Sequence, residues 1–409
     1  MRVFIVFLSI LFLFPADAFP SEAPVETDRP RIGLVLSGGG ARGSAHIGIL
    51  KALEELDVPI DYIAGTSMGA IIGGMYASGY SAAEIEEILN TMDWESAMRD
   101  RPDRVDRTMR TKELEAQFLI PFRVGFNGGK FQLPLGLIEG QRLDQVLRQI
   151  LLPVIDVHDF DNLPIPFRAV ATDLVTGEDV VLSGGSLPDT LRASMSVPGV
   201  FAPVTIGDRL LVDGGMSNNL PVNVAREMGA DIVIAVDISS TLLGREQLTS
   251  VFTVTEQLTN FLIRRTTDAQ IETLGERDLL IVPDLGEFSS ANFSGSGQII
   301  ATGYEAAMLG KADLAALSQA NGKPLEVREK ADAQPYIANF IELENSSVLH
   351  DEIIRSRLDV ELGKPLDLEA LDRSVDQVYS LDIFKSVTYD LLDNEEGEPG
   401  VLVRALPRD

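Results

Sequence analysis

Short apolar runs alternate with amphipathic segments and glycine-containing turns along much of the chain. Residues 31–36 and 62–64 are two such runs, and each predicts a buried strand. The segment between them has apolar residues at helical spacing, which predicts one helix. Two strands joined by a helix should lie parallel and close together, with their carboxyl ends at one edge of a sheet.

The same alternation continues to about residue 317 and predicts an α/β domain over residues 31–317. Its remaining strands are expected at 167–172, 180–182, 232–236 and 279–282, with a hairpin at 203–212. Its later helices are expected at 141–152, 188–194, 246–275 and 298–317. Polar, proline-containing stretches at 19–30 and 318–334 predict linkers on either side.

The pattern changes after the second linker, where residues 335–409 predict a small acidic α+β module. Strands are expected at 336–343, 385–389 and 401–404, and helices near 347–358 and 367–380, which gives the order βααββ. We call residues 335–409 the C-terminal module. It contains no plausible set of catalytic residues.

A GxSxG turn, Gly65-Thr66-Ser67-Met68-Gly69, joins the second predicted strand to a helix of small residues. Glycines on both sides allow the sharp turn that projects a serine hydroxyl from the edge of a sheet. Ser67 would also lie at a helix N-terminus, where the helix dipole favours a developing anion. The sequence therefore predicts Ser67 as a nucleophile. A glycine-rich turn that merely packs closely is the alternative in a chain with 35 glycines.

A second glycine-rich turn follows the first predicted strand and comprises Gly38, Gly39, Gly40, Ala41, Arg42 and Gly43. Its GxGxxG spacing is also typical of dinucleotide sites, but no acidic residue closes the next strand. A P-loop is excluded because no Gly-Lys-Ser/Thr follows. If both turns lie at one sheet edge, backbone amides of this loop would face Ser67 and could hold an oxyanion.

A serine nucleophile needs a base, and the chain has three histidines. We expect His46 to be buried against the backbone, while His158 lies in a proline-bounded loop and His350 in the C-terminal module. Asp213 ends a predicted strand and precedes Gly214 and Gly215, which leave room for a substrate. Asp213 is thus the favoured base, and the alternative is an aspartate that caps a tight turn.

Composition narrows the partners and the compartment. The net charge of −28 argues against nucleic acid, and any contact with a membrane would have to be apolar or local. The absence of cysteine excludes disulfides and thiolate metal sites. Residues 1–18 predict a signal peptide, with an Ala16-Asp17-Ala18 cleavage site, so we expect an exported protein in the periplasm, at the outer membrane or secreted.

Residues 93–139 allow two interpretations. Five arginines recur between residues 99 and 110, and Phe118-Leu119-Ile120-Pro121-Phe122 and Phe126 follow. The segment is either a lid or lipid-facing insert, or a solvated face followed by ordinary core, and the second is favoured. We expect Trp94 to be part of the core.

Taken together, these motifs resemble the patatin-like phospholipase family. The loop at 38–43 matches the family's oxyanion loop, Ser67 its nucleophile with Gly65 and Gly69, and Asp213 its proton acceptor with Gly214 and Gly215. The resemblance covers about residues 31–315 and implies a three-layer α/β/α fold and hydrolysis of lipid acyl esters without a metal or other cofactor. The C-terminal module resembles a POTRA domain, which implies a protein-binding role.

Two functions are carried forward. The first is a lipid acyl hydrolase of the phospholipase A or lysophospholipase type, with a phospholipid or other acyl ester as substrate and transient contact with a membrane surface. The second is an interaction or secretion module in which the POTRA-like part binds a protein and the hydrolase site is silent. The intact motifs favour the first.

Overall fold

The computed structural model describes residues 29–97, 125–127, 130–132, 135–240, 242–286, 288–290, 292–321, 335–394 and 396–408. Several predicted segments lie outside these ranges: the signal peptide, nearly all of the first linker, most of the second, and the arginine- and phenylalanine-containing stretch at 98–124.

Thirteen strands are found in the described residues. In chain order they are β1 (Ile32–Leu36), β2 (Tyr62–Thr66), β3 (Gly125–Asn127), β4 (Lys130–Gln132), β5 (Phe167–Asp173), β6 (Asp179–Leu182), β7 (Val204–Ile206), β8 (Arg209–Asp213), β9 (Ile232–Val236), β10 (Leu279–Ile281), β11 (Phe340–Asn345), β12 (Phe384–Asp393) and β13 (Pro399–Pro407).

Twelve α-helices accompany them in the same part of the chain. They are α1 (Ser44–Glu55), α2 (Met68–Ala77), α3 (Ala82–Thr91), α4 (Trp94–Ala97), α5 (Gln141–Ile150), α6 (Leu187–Ser194), α7 (Val222–Glu227), α8 (Val251–Ile271), α9 (Ser296–Leu309), α10 (Lys311–Asn321), α11 (Asp351–Arg355) and α12 (Leu368–Tyr379).

The central sheet is mixed, with strand order β10-β9-β1-β2-β5-β8-β7 and β6 paired to β5. The predicted parallel pairing of β1 with β2 is confirmed, and β9, β10 and β5 extend the parallel part. β8 runs antiparallel to β5 and completes the predicted hairpin with β7. This order places the carboxyl ends of β1 and β2 side by side, with β5 alone between β2 and β8.

Both faces of the sheet are covered by helices, which makes three layers. Along β1, Leu34 and Leu36 pack into the core on the side of α1, α2 and α9. Val35 points the other way, into a smaller core with Val222 and Ala225 of α7. Strands buried on both faces need continuous apolar sequence, which is why these strands were recognisable as unbroken runs.

Two predicted helices differ from those in the structure. The helix expected at 298–317 is two helices that meet at Gly310, and the second continues to Asn321, into the predicted linker. The helix expected at 246–275 begins later and ends earlier, at Val251 and Ile271. Trp94 is half-buried and stacks on Phe293 with a ring separation of 3.9 Å, so it packs against the core as expected.

The C-terminal module has its own three-stranded sheet, in the order β11-β13-β12, and its own apolar core around Leu371, Phe384 and Val403. β11 is parallel to β13, and β12 is antiparallel to it. The element order agrees with the predicted βααββ, while the resemblance to a POTRA domain stays a prediction. Among the described helices, none has the length and apolar character to cross a membrane.

Candidate active site

Strand register places Ser67 and Asp213 at the same level on either side of β5. Thr66, the last residue of β2, pairs with Val170, and Asp213, the last residue of β8, pairs with Ala171. Ser67 follows Thr66 directly, so the side chains of Ser67 and Asp213 approach each other across β5, the one strand between β2 and β8. Gly214, which follows Asp213, lies so close to Val170 that a Cβ on Gly214 would be 2.2 Å from the Val170 carbonyl oxygen.

The turn at Ser67 has the strained geometry of a nucleophile elbow. Ser67 has φ 55° and ψ −123° and is the N-cap of α2. The strand and helix on either side pack too closely for side chains at Gly65 and Gly69, where a Cβ would lie 2.6 Å and 2.2 Å from backbone oxygens. A non-glycine residue with positive φ is uncommon, and such strain is concentrated at functional sites.

Ser67 and Asp213 form a direct hydrogen bond. The Ser67 hydroxyl donates to Asp213 Oδ2 at 2.6 Å, and the Gly215 amide donates to Asp213 Oδ1 at 2.8 Å. Both side chains are recessed, with 7% of each residue exposed. Burial raises the pKa of the Asp213 carboxyl to about 6, although the hydrogen bonds from Ser67 and Gly215 act to lower it. A carboxyl with this pKa is ionised at neutral pH and basic enough to accept a proton there.

The glycine-rich loop lies against Ser67, since a Cβ on Gly38 would be 3.0 Å from the Ser67 Cβ. Part of the loop is committed to holding its own shape. The Gly38 amide donates to Asn219 Oδ1 at 3.2 Å, and the Ala41 amide donates to the Ser290 carbonyl at 2.8 Å. These two amides are therefore occupied.

Arg42 also supports the loop and does not face the nucleophile. Its guanidinium donates to the carbonyl oxygens of Ile238 and Ser239 at 3.0 Å and 3.2 Å. Of the six loop residues predicted from the sequence, Gly39 and Gly40 have amides that donate to no acceptor within the described residues. Gly40 has φ +57°, and a Cβ there would lie 2.2 Å from the Ser290 carbonyl oxygen. Gly39 and Gly40 are the better candidates for holding an oxyanion.

The side-chain partner of the Ser67 hydroxyl is Asp213, and the three histidines make other contacts. His46 is fully buried, its Nε2 is 2.9 Å from the Ser37 carbonyl, and burial lowers the pKa of its imidazole to about 4. It is a neutral structural residue. His158 is exposed in a loop, and His350 is exposed in the C-terminal module, where its Nδ1 accepts from the Glu352 amide.

The sequence did not predict the residues that hold the backbones of Ser67 and Asp213 in place. The Ser67 amide donates to Ser194 Oγ at 2.9 Å, and Ser194 in turn donates to the Val170 carbonyl at 2.6 Å. The Asp213 amide donates to the Ser196 carbonyl at 2.9 Å. Both partners come from the end of α6 and the residues that follow it. No sequence motif marks them, since a serine at a helix end is common.

The described residues contain no group of three or more histidines or carboxylates placed to hold a metal ion. The candidate site consists of a recessed serine–carboxylate pair beside a glycine-rich loop, at one edge of a three-layer α/β/α domain. Comparison with known families identifies the class of proteins that has this arrangement.

Residues 34–226 match the family model described as patatin-like phospholipase, a match that covers less than half of the chain. The chain thus contains a patatin-like phospholipase domain. An uncharacterized NTE family protein of Mycobacterium tuberculosis is 33% identical over 251 residues, which are 61% of this chain and 60% of that protein. The patatin-like phospholipase domain-containing protein 6 of Homo sapiens is 35% identical over 211 residues, 51% of this chain and 13% of that protein.

Two solved structures show a weaker likeness. VipD from Legionella pneumophila has 16% identity and a TM-score of 0.36, covering 69% of this chain and 67% of that one. ExoU, in its complex with SpcU from Pseudomonas aeruginosa, has 19% identity and a TM-score of 0.35, covering 71% and 52%. The assignment of the domain therefore depends on the sequence match. The chain spans about 60% of the length of the mycobacterial relatives and much less of the mammalian ones.

Proposed function

We propose that the protein is a serine acyl hydrolase that cleaves lipid esters, of the phospholipase A or lysophospholipase type, without a metal ion. The single observation that carries this proposal is the 2.6 Å hydrogen bond from the Ser67 hydroxyl to Asp213. It joins a nucleophile in a strained turn to a carboxylate whose burial raises its pKa into the range of a general base.

The proposed reaction begins when Asp213 Oδ2 takes the proton of the Ser67 hydroxyl. Ser67 Oγ attacks the ester carbonyl carbon, and the negative charge that develops on the carbonyl oxygen is held by the amides of Gly39 and Gly40. Protonated Asp213 then gives its proton to the departing alcohol oxygen, which leaves an acyl group on Ser67. Asp213 then takes a proton from water, whose oxygen attacks this acyl ester. The bond to Ser67 Oγ breaks, Asp213 returns the proton to Ser67 Oγ, and the fatty acid is released.

The family match indicates which substrates to test first. A patatin-like phospholipase domain covers Ser67, Asp213 and the glycine-rich loop, so lipid esters are the substrates to test first. The net charge of −28 gives no electrostatic attraction to anionic surfaces, and zwitterionic lipids are the better probes.

The test is fatty-acid release from phosphatidylcholine vesicles and from lysophosphatidylcholine, by wild type and Ser67→Ala. We expect turnover to fall by more than about 10³-fold while the melting temperature and circular dichroism are kept. Ser78→Ala is the matched control, because Ser78 lies at the other end of α2 and its hydroxyl donates to the Gly74 carbonyl. Turnover by Ser67→Ala at the wild-type rate, or a folded wild type that releases no fatty acid, would overturn the proposal.

We also propose that the protein is exported, on the basis of the segment at residues 1–18. Expression of the full chain followed by fractionation and N-terminal sequencing tests this directly. A mature chain that begins near Phe19 is expected, and a cytoplasmic chain that keeps Met1 would contradict it.

A further inference from the structure

Among the described residues, the most deeply buried ionic group lies where the C-terminal module meets the catalytic domain. Arg148 of α5 is 0% exposed. Its guanidinium donates to Asp144 of the same helix at 2.7 Å, to Asp189 of α6 and to Asp390 of β12. It also donates to the Tyr389 carbonyl at 2.6 Å. We call Arg148, Asp144, Asp189 and Asp390 the Arg148 cluster.

The same face of α5 makes further hydrogen bonds to the C-terminal module. The Val387 amide donates to Gln141 Oε1 at 2.9 Å, and Gln141 Nε2 donates back to the Val387 carbonyl. Gln145 donates to Asp376 at 2.8 Å. One helix of the catalytic domain is thus joined to the module along its whole length by buried polar contacts.

Helix α6 connects this interface with the active site. Near its start, Asp189 belongs to the Arg148 cluster. At its end, Ser194 accepts the Ser67 amide, and just beyond it the Ser196 carbonyl accepts the Asp213 amide. Arg192 ties the same helix to the Glu139 carbonyl, just before α5, at 2.8 Å.

Rigidity is the physical reason why this arrangement matters. A buried guanidinium is stabilised only when its carboxylate partners stay in place, so the cluster tolerates little movement of α6 relative to β12. The positions of both backbones that carry Ser67 and Asp213 depend on α6. A displacement of about 1 Å of reacting groups can lower a rate by about 10²-fold.

We infer that the C-terminal module is part of the catalytic unit, and that Arg148, Asp189 and Asp390 are positioning residues that fix α6 and, through Ser194 and Ser196, the Ser67–Asp213 pair. This inference rests on the proposed function for its catalytic consequence. The mechanical coupling itself does not depend on the reaction.

The test uses the full chain with Asp390→Asn and Asp189→Asn, which keep the shape of each side chain and remove one charge from the cluster. We expect kcat on lysophosphatidylcholine to fall by about 10-fold or more, with KM within about twofold of wild type. The matched controls are Asp382→Asn and Asp161→Asn, which alter the ion pairs with Arg408 and Arg168 outside the cluster. Both controls should keep the wild-type kcat.

Hydrogen exchange measured by mass spectrometry separates this inference from the proposed function. In Asp390→Asn, amides of residues 187–196 should exchange faster than in wild type, while those of β9 keep their rate. If this result is obtained and the wild type is inactive, the proposed reaction is contradicted while the coupling is supported. If Asp390→Asn does not fold, Gln141→Ala takes its place, since it weakens the same interface without leaving a charge unpaired.

A folded Asp390→Asn or Gln141→Ala variant with wild-type kcat and unchanged exchange at residues 187–196 would overturn the inference. So would an equal loss of kcat in Asp382→Asn, because the effect would then be unrelated to α6.

Discussion

Two regions of the molecule bury ionisable side chains and treat them in opposite ways. Asp213 is recessed and receives hydrogen bonds from a hydroxyl and an amide, and no cationic side chain of the described residues stabilises its charge. Arg148 is buried more completely and faces three carboxylates. Burial raises the pKa of Asp213 to about 6. Burial acts to lower the pKa of Arg148, but the carboxylates outweigh it and raise that pKa.

The difference separates reactivity from structure. A buried carboxylate without a counter-charge binds a proton more readily than one in water, so it can serve as a base near neutral pH. A guanidinium surrounded by carboxylates stays protonated and does not act as an acid or a base, and its partners are held in fixed places. Burial alone therefore does not determine the role of an ionisable side chain, and the surrounding charges decide it.

The largest effect should come from neutralising the buried carboxylate. Asp213→Asn removes the proton acceptor and should lower turnover by about 10²–10⁴-fold. Asp213→Asn also removes a buried charge. The folded-state pKa of the Asp213 carboxyl lies above its ordinary value of 3.8, so its charge destabilises the fold increasingly as the pH rises towards about 6. The melting temperature at pH 8 should therefore rise, and the gain should vanish near pH 4. A variant that is both active and less stable at pH 8 would remove the contrast with Arg148.

Removing the charge of Arg148 should lower the stability of the fold, whereas removing the charge of Asp213 should raise it at pH 8. Arg148→Met leaves Asp144 and Asp189 without their cation, leaves Asp390 with Arg404 alone, and should cost about 3–5 kcal/mol of stability. Chemical denaturation monitored by circular dichroism measures this loss. Arg168→Met, which alters a more exposed ion pair with Asp161, should cost less than about 1 kcal/mol. Similar losses in the two variants would contradict the structural role assigned to Arg148.

The glycine-rich loop offers a smaller and purely geometric test. Gly40→Ala places a Cβ 2.2 Å from the Ser290 carbonyl oxygen at φ +57°, so the loop must shift. We expect kcat to fall by about 10²-fold because an oxyanion donor moves. Gly207→Ala is the matched control, with φ +63° and open space around the added atom. Equal activity of the two variants would place the oxyanion donors elsewhere.

The smallest expected effect is the change in activity with pH. Asp213 must be ionised to accept a proton, and burial raises its pKa to about 6. The ratio kcat/KM should therefore fall about tenfold per pH unit below 6 and level off above it. A stopped assay on lysophosphatidylcholine between pH 4 and 8 measures this limb. A limb centred near pH 4 would contradict the raised pKa of Asp213.

The sequence was sufficient for the groups whose chemistry requires a short motif. The buried strands β1 and β2, the elbow at Ser67, and Asp213 at the end of a hairpin each show a local pattern, and the structure has them where the pattern predicted. The order of elements in the C-terminal module was also predictable, because half-buried strands alternate.

Contacts between distant residues were not predictable. Ser194 lies 127 positions from Ser67, and Asp390 lies 242 positions from Arg148. In the sequence, Asp144 and Arg148 resemble an ordinary i, i+4 ion pair on a solvated helix face. The split at Gly310 was missed because the apolar spacing continues through it. Within the glycine-rich loop, the division of amides between structure and oxyanion depends on Asn219 and Ser290, which no local pattern connects to it.

The most direct test of the central claim is covalent labelling with a fluorophosphonate, followed by peptide mapping of the adduct. The account predicts one adduct on Ser67 in the folded wild type, and labelling of Asp213→Asn that is slower by about 10²-fold or more. An adduct on another residue, or no adduct on a folded and fully soluble wild-type chain, would contradict it.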